Sequence, residues 1–319
     1  MPVSHEEVVA PVVVARRFPW LNLVLFVATV AATLVAGGSF ALGQAPGADE
    51  TWGALLLRGV PFAASLLGIL VAHEMGHFVT ARHHRVDASW PYFIPVPFGI
   101  GTFGAIIRMR GRIPTRDALV DIGASGPLAG FVVAVPILIY GISISPIVEL
   151  HTQPNFLFGN VSVVSLLHGW IEGVLPWTSE TMMEPQPLLY VLLKKFVFGL
   201  GPGQDVTVHP VAYAAVIGLF VTALNLIPIG QLDGGHVAYA MFGRRARTVG
   251  RLGLLLLAAM TLFSSAGWLL WLILSYRFVG LSHPPVDDAR PLSRGRKLVV
   301  AATIVVFVLT LTPVSMDIL

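Results

Sequence analysis

His73, Glu74 and His77 stand in the run His73-Glu74-Met75-Gly76-His77. On a helix, residues four apart share one face, so both imidazoles can reach one metal ion. Glu74, one residue on, is placed to take a proton from water activated at that ion. Coincidence is a weak alternative: random order at this composition yields the pattern in roughly one chain in a hundred. Zinc needs a further protein ligand, and the chain has no cysteine to offer. Asp233 is the candidate, in Asn225-Leu226-Ile227-Pro228-Ile229-Gly230-Gln231-Leu232-Asp233-Gly234-Gly235-His236. Pro228 and the glycines break a helix there, which exposes backbone and admits water. Alone, Asp233 could equally be a helix N-cap. Beside ionisable residues inside an apolar helix, the ligand reading takes precedence.

The elements that must position these residues follow from composition. The 319 residues are 55% hydrophobic and only 12% charged, with a mean hydropathy of +0.79. Average soluble chains are about 25% charged, so the chain reads as an integral membrane protein. A disordered chain, a collagen-like chain and a secreted disulfide scaffold are excluded. The expected fold is an all-α polytopic membrane protein of about seven transmembrane helices, with a re-entrant β-hairpin-like segment near the active site. The seven segments are Trp20–Leu42, Pro61–Thr80, Ala118–Ile142, Pro210–Ile229, Val249–Phe263, Trp268–Leu281 and Leu298–Leu311. The apolar but Pro- and Gly-rich Pro91–Gly111 is the hairpin, tolerated at membrane depth only if protein or water covers its backbone.

Orientation follows from Lys and Arg. With the N-terminus in the cytosol, 17 of the 20 Lys and Arg residues fall on the cytosolic side. The net charge of +3 and pI near 9.4 thus reflect topology rather than nucleic-acid binding. The chain divides into a cytosolic N-terminal segment, 1–19, and an integral membrane unit, 20–315. Within it an amphipathic outer segment, about 143–209, lies on the membrane face. Both motifs then fall in the cytosolic half of the bilayer. Arg244–Arg251 forms a basic run suited to lipid headgroups.

Other residues have blander readings. His83 and His84 follow the second segment and read as interfacial. His209 opens a helix before Pro210. His236 is either ordinary packing or support for the metal site. Gly123, Gly126 and Gly130 suit close helix packing. Trp52, Trp170, Trp177, Trp268 and Trp271 suit interface anchoring or packing. Ser125 and Ser162 have no G-x-S-x-G motif around them.

The HEMGH motif together with NLIPIGQLDGGH resembles the site-2 protease family of intramembrane zinc metalloproteases. The GTFGAIIRMRG stretch, the GASGPLAG segment at Gly123–Gly130 and the HPP at His283–Pro285 resemble its bacterial and chloroplast branch without a PDZ domain. The likeness covers about Ala54–Pro313. It implies one zinc held by His73, His77 and Asp233, with Glu74 as catalytic base. It further implies that Asn225 assists substrate or oxyanion binding, and that the hairpin residues Gly104 and Ile106 pair with an unwound substrate. The implied partner is a membrane-spanning protein, such as an anti-sigma factor or a membrane-bound transcription factor, in a bacterial inner or cell membrane. The alternatives are a metal-binding transporter or permease, whose ion path His73, His77 and Asp233 would line, and an inactive pseudoprotease scaffold. Against the first stand Glu74 and the lack of a visible inverted repeat; against the second, the completeness of the motifs.

Overall fold

The computed structural model describes residues 18–42, 51–149, 186–201, 204–281, 283, 284, 286 and 290–312. Most of the expected outer segment, with Ser162, Trp170 and Trp177, lies outside the described residues, as do the N-terminal residues to 17 and Pro285.

The chain is mostly helical. α1 (Trp20–Leu42) and α2 (Trp52–His83) pack side by side. Their backbones approach so closely that a Cβ on Gly59 would lie within 3 Å of the Leu34 backbone. Without water to drive association, such small-residue contacts are what hold apolar helices together. α2 begins at Trp52, not at Pro61 as expected. Thr51 caps it, its hydroxyl accepting from Ala54 N–H, and Pro61 sits inside the helix. Proline is tolerated there because neighbouring helices shield the freed carbonyl. α3 (Arg116–Ser143), capped by Thr115, lies against α2 and carries Pro127 and Pro136 within it.

Between α2 and α3 runs an antiparallel hairpin in two pieces. β1 (Asp87–Ala88) pairs with β4 (Met109–Arg110), and β2 (Tyr92–Pro95) with β3 (Thr102–Ile106) in the register Tyr92↔Ile106 and Phe93↔Ala105. Its tip rests on α1. Gly101, at φ +83°, has no room for a side chain, since a Cβ would meet Thr33 N at 2.6 Å. Asn22 of α1 donates from Nδ2 to Trp90 O and Pro91 O, at 2.8 and 2.9 Å.

After α3, β5 (Ile147–Glu149) pairs with β6 (Gln204–Val206), and the short α4 (Leu188–Leu192) ends in a π turn. α5 (Pro210–Leu226) starts as expected: His209 caps it, Nδ1 accepting from Val211 N–H. The chain then breaks and resumes as α6 (Asp233–Phe242), which leads into α7 (Ala246–Phe263). α8 (Trp268–Leu274) and α9 (Arg294–Thr310) follow.

All seven expected segments fall on helices, but the expectation of about seven spans exceeds what helix length supports. Among the described residues, four stretches are long and apolar enough to cross a membrane: Trp20–Ala41, Trp52–His83, Arg116–Ser143 and Asp233–Phe263. α5 and α9 have 17 residues each, about 25 Å of rise. α8 with its π turn covers only about 18 Å, against a hydrocarbon core of about 30 Å.

The two histidines expected to be interfacial differ in their surroundings. His83 is exposed. His84, however, binds Asp121 of α3 (Nε2 to Oδ2, 2.9 Å), and Arg296 of α9 grips the same carboxylate from Nε and Nη2 at 2.6 to 3.2 Å. One Asp121 side chain thus ties the ends of three helices. A planar guanidinium suits such two-point contact with a carboxylate.

Candidate metal centre

α2, α3, α5 and α6 build the site. His73 and His77 lie one turn apart on the face of α2 turned to α3 and are buried, as is Glu74 between them. Asp233 enters as the first residue of α6. It is not the N-cap: Leu232 holds that position, and no side chain caps the helix. Its carboxylate turns to α2 instead. His73 Nε2, His77 Nε2 and Asp233 Oδ2 converge at separations of 3.2, 3.1 and 3.3 Å. Among the described residues they are the one group of metal-binding side chains that meets in this way.

Those separations are informative. Four ligands at about 2.0–2.1 Å around a tetrahedral zinc lie about 3.3 Å from one another. The three donors stand at the spacing of three corners of that tetrahedron. The tautomer agrees. His77 Nδ1 lies 2.7 Å from Ile122 O, a carbonyl that can only accept. The proton therefore sits on Nδ1, and Nε2 presents a lone pair to the centre.

The surroundings explain two sequence features. Gly126 and Gly130 of α3 lie beneath the imidazoles rather than only against a helix backbone. A Cβ on Gly126 would fall 2.0 Å from His77 Nε2, and one on Gly130 would fall 3.3 Å from His73 Nδ1. Gly126 thus makes the close helix contact expected of it, and the group it admits is the His77 ring. The visible signal was its place in the small-residue GASGPLAG run. Gly234 and Gly235 serve the break: side chains there would collide with Leu226 O and Gly230 O.

Asn225, on the last turn of α5, reaches the cluster, its Nδ2 3.2 Å from His73 Nε2. Glu74 has no hydrogen-bond partner among the described residues. Gly104 and Ile106 lie on β3 and are not among the converging residues. Ile106 is exposed. Gly104, at φ +90°, donates its N–H to Thr102 Oγ1 at 3.0 Å, so that donor is already used locally. His236 is buried in α6, and its Nδ1 meets His283 Nε2 at 2.7 Å.

Comparison with known proteins identifies the family of the chain. The description Peptidase family M50 matches residues 61–264. The chain is 31% identical to the "Probable zinc metalloprotease EGY1, chloroplastic" of Arabidopsis thaliana, over 80% of this chain and 43% of the relative. It is 31% identical to the "Probable zinc metalloprotease EGY2, chloroplastic" of Oryza sativa subsp. indica, over 70% and 36% respectively. It is 30% identical to the "Probable zinc metallopeptidase EGY3, chloroplastic" of Arabidopsis thaliana, over 75% and 40%. The chain thus spans about two-fifths of the length of these relatives. They are chloroplastic, so the expected bacterial cell membrane gains no support from them. The match runs through both halves of the metal cluster and the helices that join them, and the chain belongs to Peptidase family M50, the site-2 protease family.

Proposed function

We propose that this chain is an intramembrane zinc metalloprotease that cleaves the membrane-spanning segments of tethered proteins. The observation that carries the proposal is the convergence of His73 Nε2, His77 Nε2 and Asp233 Oδ2 within otherwise apolar helices. Buried imidazoles and a carboxylate converging without a cation would be costly, and their separations fit zinc. His73, His77 and Asp233 would hold the ion. When bound, zinc would polarise the scissile carbonyl and make water more acidic.

The chain's own residues supply the rest. Glu74 accepts the proton of the attacking water on its carboxylate and passes it to the leaving amine nitrogen. Among the described residues no group hydrogen-bonds its carboxylate, which leaves its lone pairs to that task. Asn225, whose amide faces the same space, donates from Nδ2 to the substrate's carbonyl oxygen or backbone. An unwound substrate pairs with the hairpin about Gly104 and Ile106, which satisfies backbone groups that lipid could not. Because Gly104 N–H is occupied by Thr102, the pairing uses the other backbone groups of β3. By the Lys and Arg distribution, the N-terminus and the active site face the cytosol. A cut there releases cytosolic products, which suits a substrate such as an anti-sigma factor or a membrane-bound transcription factor.

Purified wild type should carry about one zinc per chain and cleave a model transmembrane substrate. Glu74→Gln should keep the zinc and lose about 10²- to 10⁴-fold in rate. Unchanged turnover in Glu74→Gln, or a wild type without zinc, would overturn the assignment.

A further inference from the structure

Three residues C-terminal to α8 touch the Asp233 loop from both sides. Gly280 lies against Gly230, where a Cβ would collide with the Gly280 carbonyl. Leu281 lies at Gly250 of α7, beside Pro228 O; a Cβ on Gly250 would meet the Leu281 side chain at 3.1 Å. His283 then reaches α6. Its ring stacks on Tyr239 with centroids 4.3 Å apart and 18° between planes, and it meets the His236 ring edge-on at 90°. The contacts bracket Asp233, with Gly230 before it and His236 and Tyr239 after it.

The hydrogen bonds in this bracket have one consistent direction. Pro284 O can only accept, and His283 Nδ1 lies 2.6 Å from it. His283 Nδ1 therefore carries the proton and donates. Burial holds this imidazole below its ordinary value, so the ring is neutral and Nε2 is a bare acceptor. His236 Nδ1–H donates to that atom at 2.7 Å. The ring of His236 is thereby fixed in tautomer and plane. Its Cβ lies so near Gly123 of α3 that a Cβ on Gly123 would fall 2.9 Å from it and 3.1 Å from Asp233 O. The first turn of α6 is clamped between α3 on one side and His283 on the other.

We infer that His283 is a positioning residue for the metal centre: by accepting from His236 and stacking on Tyr239, it sets the first turn of α6 so that Asp233 presents its carboxylate to His73 and His77. The inference rests on reading those three residues as metal ligands. Sequence resemblance marked the HPP motif without giving it a task; this assigns one to its histidine. Supporting groups behind ligands typically change metal affinity by about 10- to 100-fold. His283 acts through an intervening side chain and backbone turn, so the lower end is expected.

The test compares His283→Leu with His283→Gln in the full chain, purified in detergent. Leu keeps apolar bulk without an acceptor; Gln places an oxygen near the position of Nε2. Zinc retention is read by competition with a chelator, and cobalt(II) substitution gives a visible spectrum of the ligand field. His283→Leu should hold zinc about 10-fold more weakly, with an altered cobalt spectrum. His283→Gln should recover most of both. Equal retention in wild type and His283→Leu would overturn the inference, and so would equal weakening in the two variants, which would reduce the role to bulk. A wild type that holds no zinc would overturn the ligand reading and this inference with it. A zinc-loaded wild type beside an unaltered His283→Leu would overturn this inference alone. If His283→Leu does not fold, Tyr239→Leu, which removes the ring under His283, takes its place. Weaker zinc retention in Tyr239→Leu supports the clamp, and wild-type retention overturns it.

Discussion

Replacing Gly126 with alanine tests the metal centre from the side opposite its ligands. The added Cβ would stand 2.0 Å from His77 Nε2 and 2.3 Å from its Cδ2. Non-bonded heavy atoms settle at about 3.5 Å, so ring and methyl must separate by roughly 1.5 Å. Metal ligands tolerate displacements of only about 0.2 Å. His77 cannot both avoid the methyl and hold its place unless α3 retreats. Retreat would open the close α2–α3 contact at the neighbouring turn, where a Cβ on Gly76 of α2 would lie 2.5 Å from Ser125 O, and so forfeit packing there. Overpacking of this kind costs about 1–3 kcal/mol. If that strain opposes metal binding, zinc affinity falls by about 5- to 150-fold. The assay is chelator competition on purified protein that elutes normally from size exclusion, followed by cleavage of a model substrate. Two glycines grade the result. Gly130→Ala, with its Cβ at 3.3 Å from His73 Nδ1, should weaken zinc only slightly, and Gly68→Ala, with nothing within 4 Å, not at all. If Gly126→Ala holds zinc as firmly as Gly68→Ala, the glycine is not the seat of the imidazole and the argument fails.

Asp233→Asn should lower zinc content far more than Asn225→Ala, because under the proposed function the first would remove a charged ligand and the second a substrate contact; metal analysis showing full zinc in both would return Asp233 to a structural role. Ile106→Pro should slow cleavage without loss of zinc, since proline removes a ladder donor opposite Tyr92; normal cleavage by this variant would remove the hairpin from substrate binding. Single cysteines, introduced without interference because the chain has none, should react at Arg112 and Arg247 from the cytosolic side and at Ile147 from the other. The reverse labelling would invert the topology and the direction of product release.

The parts legible in the sequence were those whose signal is local. His73 and His77 announce themselves by helical spacing, and Asp233 by an acid beside a Pro- and Gly-rich break in an apolar segment. Helix boundaries were less legible. Pro61 resembles a first-turn proline, but a bundle interior tolerates it mid-helix, so α2 begins nine residues earlier. The start of α6 was hidden by Gly234 and Gly235, poor helix formers that are required because Leu226 O and Gly230 O leave no space for side chains. The Asp121 junction and the His236–His283 pair join residues far apart in the chain, and only tertiary structure brings them together. Gly126 lay between these cases. Its smallness was visible, but what occupied the space above it was not.

The Asp121 junction bears on where this protein can be cut. Residue 122 follows Asp121 directly, and its carbonyl fixes the proton on His77. The side chain of one residue therefore anchors a helix end while the backbone of the next aligns an imidazole. Arg296, which grips that anchor, lies beyond residue 264, where the family match ends. Asn22 and the α1 seat for the hairpin tip lie before residue 61, where it begins. The span of the family match is thus narrower than the unit that holds its shape. A fragment trimmed to 61–264 would keep all three converging side chains yet lose the props at both ends, so its borders should be drawn by mechanical support rather than by likeness.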